Sequence, residues 1–432
     1  MIRHGLWIAA VLALAACADP EVLLEGERLD VRGNAVPDEI VNRAAPVPLP
    51  RAVTNASWTH AGGTVRHQIG HPALDTALSV AWSVPIGEGN SKRRRITAEP
   101  VVENGRVFVM DSRARLTAVS TAGQALWSTD LTPSTDGPDE GAGGGIAASG
   151  GRVFATNGFG ELIALEAASG EVLWRHDFDA GAVAPPMVSG GVVYAVTTNA
   201  TGWALSVETG RVLWQVFGAV SDRTTTSAPG PALAGPLVVF PFGSGQMVSA
   251  VAGTGEQAWA ASVAGQRLGR ASSVLSALGG GPVVADNRVY AGSFAGRAGA
   301  FDATTGQSIW SAGEGVSGPL WLVGGSLFFV SDRNQLIRLN AATGETVWAQ
   351  NLPQFTRERI RRRRSIFVHH GPVLAGGRLI LASDDGVLRQ FDPASGAVVD
   401  TVALPDGAAV GPIVAGRTLF VVTENGQLIA LR

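Results

Sequence analysis

Cysteine is nearly absent from this chain, and its absence limits how the fold can be stabilised. Cys17 is the only cysteine, so no disulfide can form within the chain and the hydrophobic core must hold the fold together. Charged residues make up only 16% of the sequence, and 33 basic against 36 acidic side chains give a formal net charge of −3. This slight acidity argues against nucleic acid as a partner.

Helical periodicity and catalytic signatures are missing as well. Beyond the N-terminal region no stretch shows a convincing helical period, which predicts an all-β fold. The sequence contains no G-x-S-x-G elbow, no H-E-x-x-H pair and no phosphate-binding loop. The glycine-rich stretch 141–145 is followed by neither a lysine nor a helix start, so we interpret it as a flexible connection. We therefore expect a protein that is not an enzyme and uses no cofactor and no metal.

Tryptophan is present at a spacing that organises the whole chain. It recurs roughly every 45 residues, in most copies just after a glycine turn, as in FDATTGQSIW at 301–310. A degenerate copy, FDPASGAVVD, places Asp400 at the tryptophan position. A repeat of this length is one supersecondary unit, and its copies must stack to bury their apolar faces. The repeat tryptophans are Trp82, Trp127, Trp174, Trp214, Trp259, Trp310 and Trp348.

Each repeat predicts four short strands that form one antiparallel sheet. In residues 281–311 the segments PVV, RVYAGS, GRAGAFDA and SIWS are separated by turns, and Gly306 is free to adopt a positive φ. Sheets of this kind arranged radially make a β-propeller. Three strands follow Asp400, and the strand at 78–86 has no blade before it. We therefore predict that residues 78–432 form an eight-bladed β-propeller of four-stranded antiparallel blades, with the N-terminal strand closing the last blade.

The repeat tryptophans are interpreted as packing residues between neighbouring blades. A side chain of this size fills the wedge between two sheets and gives its indole N–H a backbone partner. A tryptophan-lined ligand site is the alternative. Trp203 and Trp321 lie outside the repeat position in apolar strands, where we expect core residues.

The N-terminus has the pattern of a lipoprotein signal. Residues 1–16 combine a short charged start with an apolar run too short to span a bilayer, and Leu14-Ala15-Ala16-Cys17 matches a lipobox. Cys17 is thus the predicted lipid attachment site, with a chance cysteine in an ordinary secretory signal as the alternative. Because Ala18 rather than aspartate follows the cysteine, we expect the outer membrane, facing the periplasm.

Residues 17–77 are predicted to be a lipidated tether and extended segment. The stretch begins acidic and polar and continues into the proline-rich AAPVPLPRA. Its last part contains Trp58, His60, His67 and His71, which raises the possibility of a metal site. Their spacing matches no familiar ligand pattern, so we favour packing against the propeller.

Arginine is clustered in the connections that lead from one blade to the next. In a propeller all these connections emerge on one face, so we expect that face to be basic and to favour carboxylate or phosphate partners. Acidic protein surfaces and anionic lipid headgroups both fit, and a solvated rim is the alternative. The clusters are 92–95, Arg223, Arg267 with Arg270, and Arg357, Arg359 and 361–364.

The repeat, the closed ring and the lipobox together resemble the BamB family, the lipoprotein subunits of the outer-membrane β-barrel assembly machine. The resemblance covers Cys17 and most of residues 58–432. It implies a scaffold that binds the periplasmic POTRA domains of a BamA-like barrel protein, joins other Bam subunits, and aids folding and insertion of nascent outer-membrane proteins. Family members use an arginine-bearing loop between two blades, which matches SDRTTTSAPG here. The predicted partner-binding residues are Arg223, Arg267, Arg270, Arg361 and Arg362.

Two other functions remain open at the level of sequence. Pyrroloquinoline-quinone dehydrogenases share this repeat, but they need oxygen ligands for a calcium ion, and many carry a vicinal disulfide that one cysteine cannot supply. Asp302 and Asp392 precede turn glycines and are expected to shape turns. A lipoprotein propeller that binds another envelope partner is the third possibility.

Overall fold

Short antiparallel strands make up nearly all the regular structure of this protein. The computed structural model describes residues 42–137, 141, 143–221, 227–263, 265 and 275–432. Within them, the only helical elements are two 3-10 turns, Ala61–Gly63 and Ile360–Arg362. The strands form eight separate sheets of four, so the predicted all-β, eight-bladed propeller is confirmed.

The blades are numbered here in chain order from the first complete repeat. Blade 1 contains β2 (Val101–Glu103), β3 (Arg106–Met110), β4 (Arg115–Ser120) and β5 (Ala125–Asp130); blade 2 contains β6 (Gly144–Ser149), β7 (Arg152–Asn157), β8 (Glu161–Glu166) and β9 (Val172–Asp177); blade 3 contains β10 (Met187–Ser189), β11 (Val192–Val196), β12 (Thr201–Ser206) and β13 (Val212–Phe217); blade 4 contains β14 (Ala232–Ala234), β15 (Leu237–Pro241), β16 (Gln246–Val251) and β17 (Gln257–Ser262). Blade 5 contains β18 (Val283–Ala285), β19 (Arg288–Ser293), β20 (Arg297–Asp302) and β21 (Ser308–Ala312); blade 6 contains β22 (Trp321–Val323), β23 (Ser326–Val330), β24 (Gln335–Asn340) and β25 (Thr346–Asn351); blade 7 contains β26 (His369–Ala375), β27 (Arg378–Ser383), β28 (Val387–Phe391) and β29 (Val398–Ala403); blade 8 contains β30 (Ile413–Ala415), β31 (Thr418–Val422) and β32 (Gln427–Leu431), completed by β1 (Val80–Pro85).

The ring is closed by pairing of the first and the last strand of the chain. Strand β1 pairs antiparallel with β32, with Val80 opposite Leu431 and Pro85 opposite Gln427. Ser79 and Arg432 exchange both backbone hydrogen bonds, at 2.8 and 3.0 Å, just beyond this register. The predicted closure by strand 78–86 is therefore confirmed, with a regular strand two residues shorter at its start and one at its end.

The antiparallel order sorts the connections onto two faces of the ring. Connections between the second and third strands, and those from a fourth strand to the next blade, leave from the same ends of the strands; we call this the crossover face. Hairpins that join strands one and two, or three and four, form the opposite hairpin face. Arginine-bearing connections between blades therefore belong to the crossover face, as the topology of the repeat predicts.

The segment 53–72 fills the centre of the ring, and we call it the plug. Each blade presents the unpaired inner edge of its first strand to the axis, and such edges need hydrogen-bond partners. Backbone carbonyls and one imidazole of the plug supply many of them. The plug bonds to Val102 (blade 1), Ala148 (blade 2), Val188 (blade 3), Leu233 (blade 4), Val284 (blade 5), Gly376 (blade 7) and Gly416 (blade 8), and its Trp58 stacks on Trp321 of blade 6 with ring centroids 6.1 Å apart.

The residues that precede the first propeller strand also contact the blades. Residues 42–77, the described part of the predicted tether and extended segment 17–77, lie against the blades. The polar, proline-rich composition concealed this because proline-rich backbone offers carbonyls to strand edges without needing a strand pattern of its own.

Residues 42–50 lie over blades 6 and 7 before the chain reaches the plug. The Ala45 N–H donates to the Ala394 carbonyl at 3.1 Å, and the Arg43 N–H donates to the Val347 carbonyl at 3.3 Å. The buried guanidinium of Arg338 donates to the carbonyls of Ala45 and Pro46 and so clamps the incoming chain.

Candidate partner-binding surfaces

The repeat tryptophans connect each blade to the next one. The indole of Trp259 in blade 4 donates to the Ala303 carbonyl of blade 5 at 3.0 Å. A Cβ on Gly306, whose φ is +72°, would lie 2.7 Å from the ring of Trp259. Six repeat tryptophans therefore sit on a turn glycine of the following blade while donating to a carbonyl of the same turn. The six indole bonds run from Trp127 to Ala167, Trp174 to Val207, Trp214 to Ala252, Trp259 to Ala303, Trp310 to Ala341 and Trp348 to Pro393.

Both exceptions to this contact lie next to the ring closure. Trp82 packs on Gly123, but its Nε1 is buried without a hydrogen-bond partner, and Arg432 donates to the Thr121 carbonyl of that turn at 3.0 Å. Asp400 faces blade 8, where the two chain ends stand in place of the hairpin between the third and fourth strands. With no turn glycine there, a tryptophan at this position has nothing to stack on. Asp400 instead accepts a hydrogen bond from Gln390 at 2.9 Å.

The histidines of the plug take part in packing. His60 Nε2 accepts the Val188 N–H at 3.0 Å, His67 Nδ1 donates to the Pro282 carbonyl at 3.1 Å, and His71 bridges the Pro50 carbonyl and the Gly377 N–H at 2.7 and 2.8 Å. Burial lowers the pKa of His60 to about 3, with His67 adding to the effect, and burial lowers the pKa of His67 to about 4. Among the described residues no group of three or more His, Cys, Asp or Glu side chains could hold a metal ion.

An axial cavity of about 270 Å³ lies above the plug, on the side of the crossover face. Glycine or proline recurs among the lining positions that precede a first strand, including Pro185, Gly230 and Gly281. Glu99 of blade 1 is the one carboxylate in the described lining. Burial raises its pKa, against a hydrogen bond from the Gly62 backbone, so the protonated carboxyl is favoured more than in a solvated glutamate.

The crossover face carries both signs of charge, arranged in clusters. Carboxylates of the loops between second and third strands lie on it too: Glu424 pairs with Arg95 at 3.2 Å, and Asp385 pairs with Arg389. The expected basic character is therefore local. It is concentrated in the connection from blade 6 to blade 7, residues 352–368, which we call the arginine loop.

The predicted partner-binding arginines divide between described and undescribed parts of the chain. Arg361 and Arg362 lie in the exposed 3-10 turn of the arginine loop. Arg223, Arg267 and Arg270 lie outside the described residues, as does Cys17.

The outer edge of blade 3 is the apolar surface that sequence reasoning missed. The fourth strand of each blade is an outer edge, and β13 exposes Leu213 and Phe217, with 53% and 68% of their surface accessible. Val220, just beyond the strand, is 68% exposed. An edge strand with exposed apolar side chains is a ready template for pairing with another chain. The signal was present in VLWQVF, where apolar residues occupy both faces of the strand.

No helix in the described part of the chain has the length and apolar character needed to cross a membrane.

Comparison with known proteins is consistent across sequence and structure. A family model described as outer membrane protein assembly factor BamB matches residues 112–350 and 354–432. The outer membrane protein assembly factor BamB of Moranella endobia (strain PCIT) is 25% identical over 371 residues, covering 81% of this chain and 89% of that protein. The crystal structure of BamB from Moraxella catarrhalis superposes with a TM-score of 0.63 at 18% identity, covering 83% of this chain and 98% of that one.

The same fold also occurs in an enzyme. A europium-containing methanol dehydrogenase superposes with a TM-score of 0.66 at 12% identity, covering 87% of this chain and 98% of that chain, which shows the shared propeller architecture alone. The family model, by contrast, spans most of the ring. On that match, the chain belongs to the family of the outer membrane protein assembly factor BamB.

Proposed function

We propose that this chain is a non-enzymatic scaffold lipoprotein of the outer-membrane protein assembly complex. In this role it binds the POTRA domains of a BamA-like barrel protein, together with other Bam subunits, and aids folding and insertion of β-barrel proteins. The observation that carries the proposal is the BamB family match across the propeller, residues 112–350 and 354–432. The broad loop faces and exposed outer edges of the ring are surfaces suited to holding other proteins.

The contact with the barrel protein is proposed to centre on the end of blade 3. Strand β13 exposes Leu213 and Phe217 and leads directly into the connection that contains Arg223. An aromatic anchor beside an arginine is a common composition for the centre of a protein interface. Arg267 and Arg270, in the next crossover connection, are proposed to extend the same contact.

Nascent outer-membrane proteins are proposed to use the same kind of edge. A barrel strand that has not yet found its partner exposes unpaired backbone groups, and the outer strands of the blades expose theirs as well. Pairing between the two is β-augmentation. Outer strands such as β9 and β29 carry exposed apolar residues, including Leu173, Val398 and Val399, that would contact the added strand.

The residues of the axial cavity do not fit the cofactor of the dehydrogenase alternative. A quinone–calcium centre requires several oxygen ligands close together. Glu99 is the one carboxylate of the described lining, burial raises its pKa, and glycine, proline and alanine, which offer no side-chain oxygen, occupy many of the other lining positions. With so few oxygen ligands, the cavity fits a structural role better than a cofactor site. The third alternative, a different envelope partner, is tested as one outcome of the binding experiment.

The binding experiment is a pull-down of residues 19–432 against detergent-solubilised envelope and against a purified POTRA fragment of the organism's BamA-like protein. We expect capture of the barrel protein, and we expect Arg223→Glu to weaken capture at least tenfold because the guanidinium would lose its carboxylate partners. Arg211→Glu, an exposed hairpin-face arginine beside β13, is the matched control and should bind as the unmodified chain does. Capture of an unrelated envelope protein by the folded chain would favour the third alternative.

Anchorage at the periplasmic face of the outer membrane is proposed to depend on Cys17. Cleavage before this residue and acylation of its thiol give firm attachment without a spanning helix. We expect Cys17→Ser to abolish fractionation with the outer membrane. Unchanged outer-membrane fractionation of this variant would contradict the lipid anchor.

A further inference from the structure

The arginine loop is a preorganised structure. Phe355 and Ile366 form an isolated β-bridge, and the hydroxyls of Thr356 and Ser365 hydrogen-bond at 2.9 Å. The guanidinium of Arg363 lies over the Phe355 ring, 4.7 Å from its centroid, and its Nε donates to the Glu358 carbonyl. Arg363 therefore stiffens the loop from within, so the other arginines are displayed on a braced hairpin.

The tip of the loop combines positive charge with an exposed aliphatic side chain. Residues 357–364 contain six arginines and only one glutamate. Within the described chain none of Arg357, Arg359, Arg361, Arg362 and Arg364 takes part in an ion pair. Ile360, at the start of the 3-10 turn, is 80% exposed.

Two carboxylates of the neighbouring loop between β27 and β28 interact with groups other than the exposed arginines. Asp385 pairs with Arg389, and the Asp384 carboxylate accepts the Val368 N–H at 2.9 Å. The loop thus retains its own positive charge. Guanidinium forks bind phosphate oxygens bidentately, and an aliphatic residue among cationic side chains is the composition of a segment that inserts shallowly into a lipid surface.

The path of the N-terminal residues points to the same face. Ala45 bonds beside the Ala394 turn on the hairpin face, Arg43 bonds to Val347, and the Asn42 side chain exchanges two hydrogen bonds with the backbone of Ala349. From residue 45 back to residue 42, the chain therefore follows β25 toward its C-terminal end. That end opens into the arginine loop.

We propose that the arginine loop binds the anionic phospholipid surface of the membrane, with Arg361 and Arg362 contacting lipid phosphates and Ile360 entering the headgroup layer. This inference rests on the proposed lipid anchor for its biological setting, because the described N-terminal residues run toward the crossover face. The loop then places the blade 6–7 side of that face at the bilayer and leaves the end of blade 3 open to protein partners.

The test is co-sedimentation of unlipidated residues 19–432 with vesicles of phosphatidylethanolamine containing a quarter phosphatidylglycerol, and with phosphatidylcholine vesicles. We expect binding to the anionic vesicles only, weakening as salt rises. Each neutralised arginine should lower partitioning roughly fivefold, so Arg361→Gln with Arg362→Gln should lower it about 25-fold. Ile360→Asp should also lower it, while Arg211→Gln, on the hairpin face, should leave it unchanged.

Equal binding to both vesicle types, or equal loss with the Arg211→Gln control, would overturn the proposal. So would unchanged vesicle binding by the double variant combined with weaker capture of the barrel protein, since the loop would then be a protein contact. Because the vesicles contain no protein and the chain carries no acyl group, failure here is distinct from failure of the scaffold or of the anchor. Matching thermal midpoints of all variants confirm that the exposed substitutions leave the fold intact.

Discussion

The smallest unit that explains this protein is the pair formed by a tryptophan and the turn glycine of the next blade. The glycine is required twice at each such position: its φ is positive, and the tryptophan ring occupies the space where a Cβ would be. The indole N–H, buried by this packing, is satisfied by the carbonyl of the same turn. One pair therefore fixes the distance and the rotation between two blades.

The two requirements on the glycine can be measured separately. Gly235 has φ +61° and open space around its Cβ position, so Gly235→Ala should cost about 1 kcal/mol for the left-handed backbone alone. Gly306→Ala adds a clash with Trp259 at 2.7 Å and should cost a further ~1–3 kcal/mol. We expect a larger drop in the thermal midpoint for Gly306→Ala than for Gly235→Ala. In a Trp259→Ala background this difference should disappear, and a difference that persists would contradict the stacking role.

At the scale of elements, the plug explains how the centre of so wide a ring is filled. Its backbone satisfies inner strand edges that have no neighbouring strand, and two buried histidines add polar bonds near the axis. Neutral imidazole suits these sites, since His60 must accept from an N–H and His67 lies in the same buried cluster. The contribution of the plug to folding stability therefore depends on pH.

Acidification should weaken the plug in a defined range. In the unfolded chain a histidine with a pKa near 6.5 binds a proton as pH falls below that value. In the folded chain the pKa is about 3 for His60 and about 4 for His67, so both stay neutral over the same range. Stability from these residues is thus complete above pH 6.5 and is lost as pH falls toward 4, on the order of 2 kcal/mol for each by pH 5. The combined variant His60→Gln with His67→Gln should show a flatter dependence of thermal midpoint on pH between 6.5 and 4.5.

The comparison of slopes isolates the histidines from other groups. Glu99, whose pKa is raised by burial, acts in the opposite direction, since its folded form resists the deprotonation that the unfolded chain undergoes as pH rises above 4.5. It is present in both proteins and cancels. Identical slopes for the variant and the unmodified chain would refute the role assigned to the plug histidines.

The strands of the blades could be predicted from sequence, whereas for the plug only packing against the propeller could be predicted and not its contacts, for a physical reason. Strands such as Arg288–Ser293 and turns such as the one at Gly306 are encoded by local alternation and by φ preferences within a few residues. The plug depends on carbonyls of Thr59, Val65 and Pro72, which bond to blades far away in sequence, and any residue supplies a carbonyl. The exposed edge of β13 was likewise hidden, because outward exposure of Phe217 depends on which strand of the sheet is outermost.

At the scale of the whole molecule, the seam in blade 8 explains the irregular copies of the repeat. Asp400 replaces tryptophan where blade 8 has no hairpin, and so no turn glycine, between its third and fourth strands. Trp82 lacks a preceding turn because β1 is not joined to β32 by a hairpin. The ring is therefore held shut by noncovalent pairing of β1 with β32, and neighbouring side chains such as Arg432 are drawn into the joint. Opening this joint would expose the edges of two strands at once.

A disulfide across the seam tests the closure directly. Ser79 and Arg432 form a hydrogen-bonded antiparallel pair, for which the Cα atoms are about 5.5 Å apart, within the range that a disulfide spans. In residues 19–432, which lack Cys17, Ser79→Cys with Arg432→Cys should oxidise readily and raise the thermal midpoint relative to its reduced form, because the crosslink removes a very long loop from the unfolded ensemble. Each single cysteine variant is the control and should show no redox dependence. A pair that fails to oxidise while the protein is folded would mean that the ends do not meet in blade 8. Oxidation without stabilisation would mean that the crosslink strains the folded pair by as much free energy as it gains from constraining the unfolded chain, so Ser79 and Arg432 would not have the geometry of a hydrogen-bonded pair.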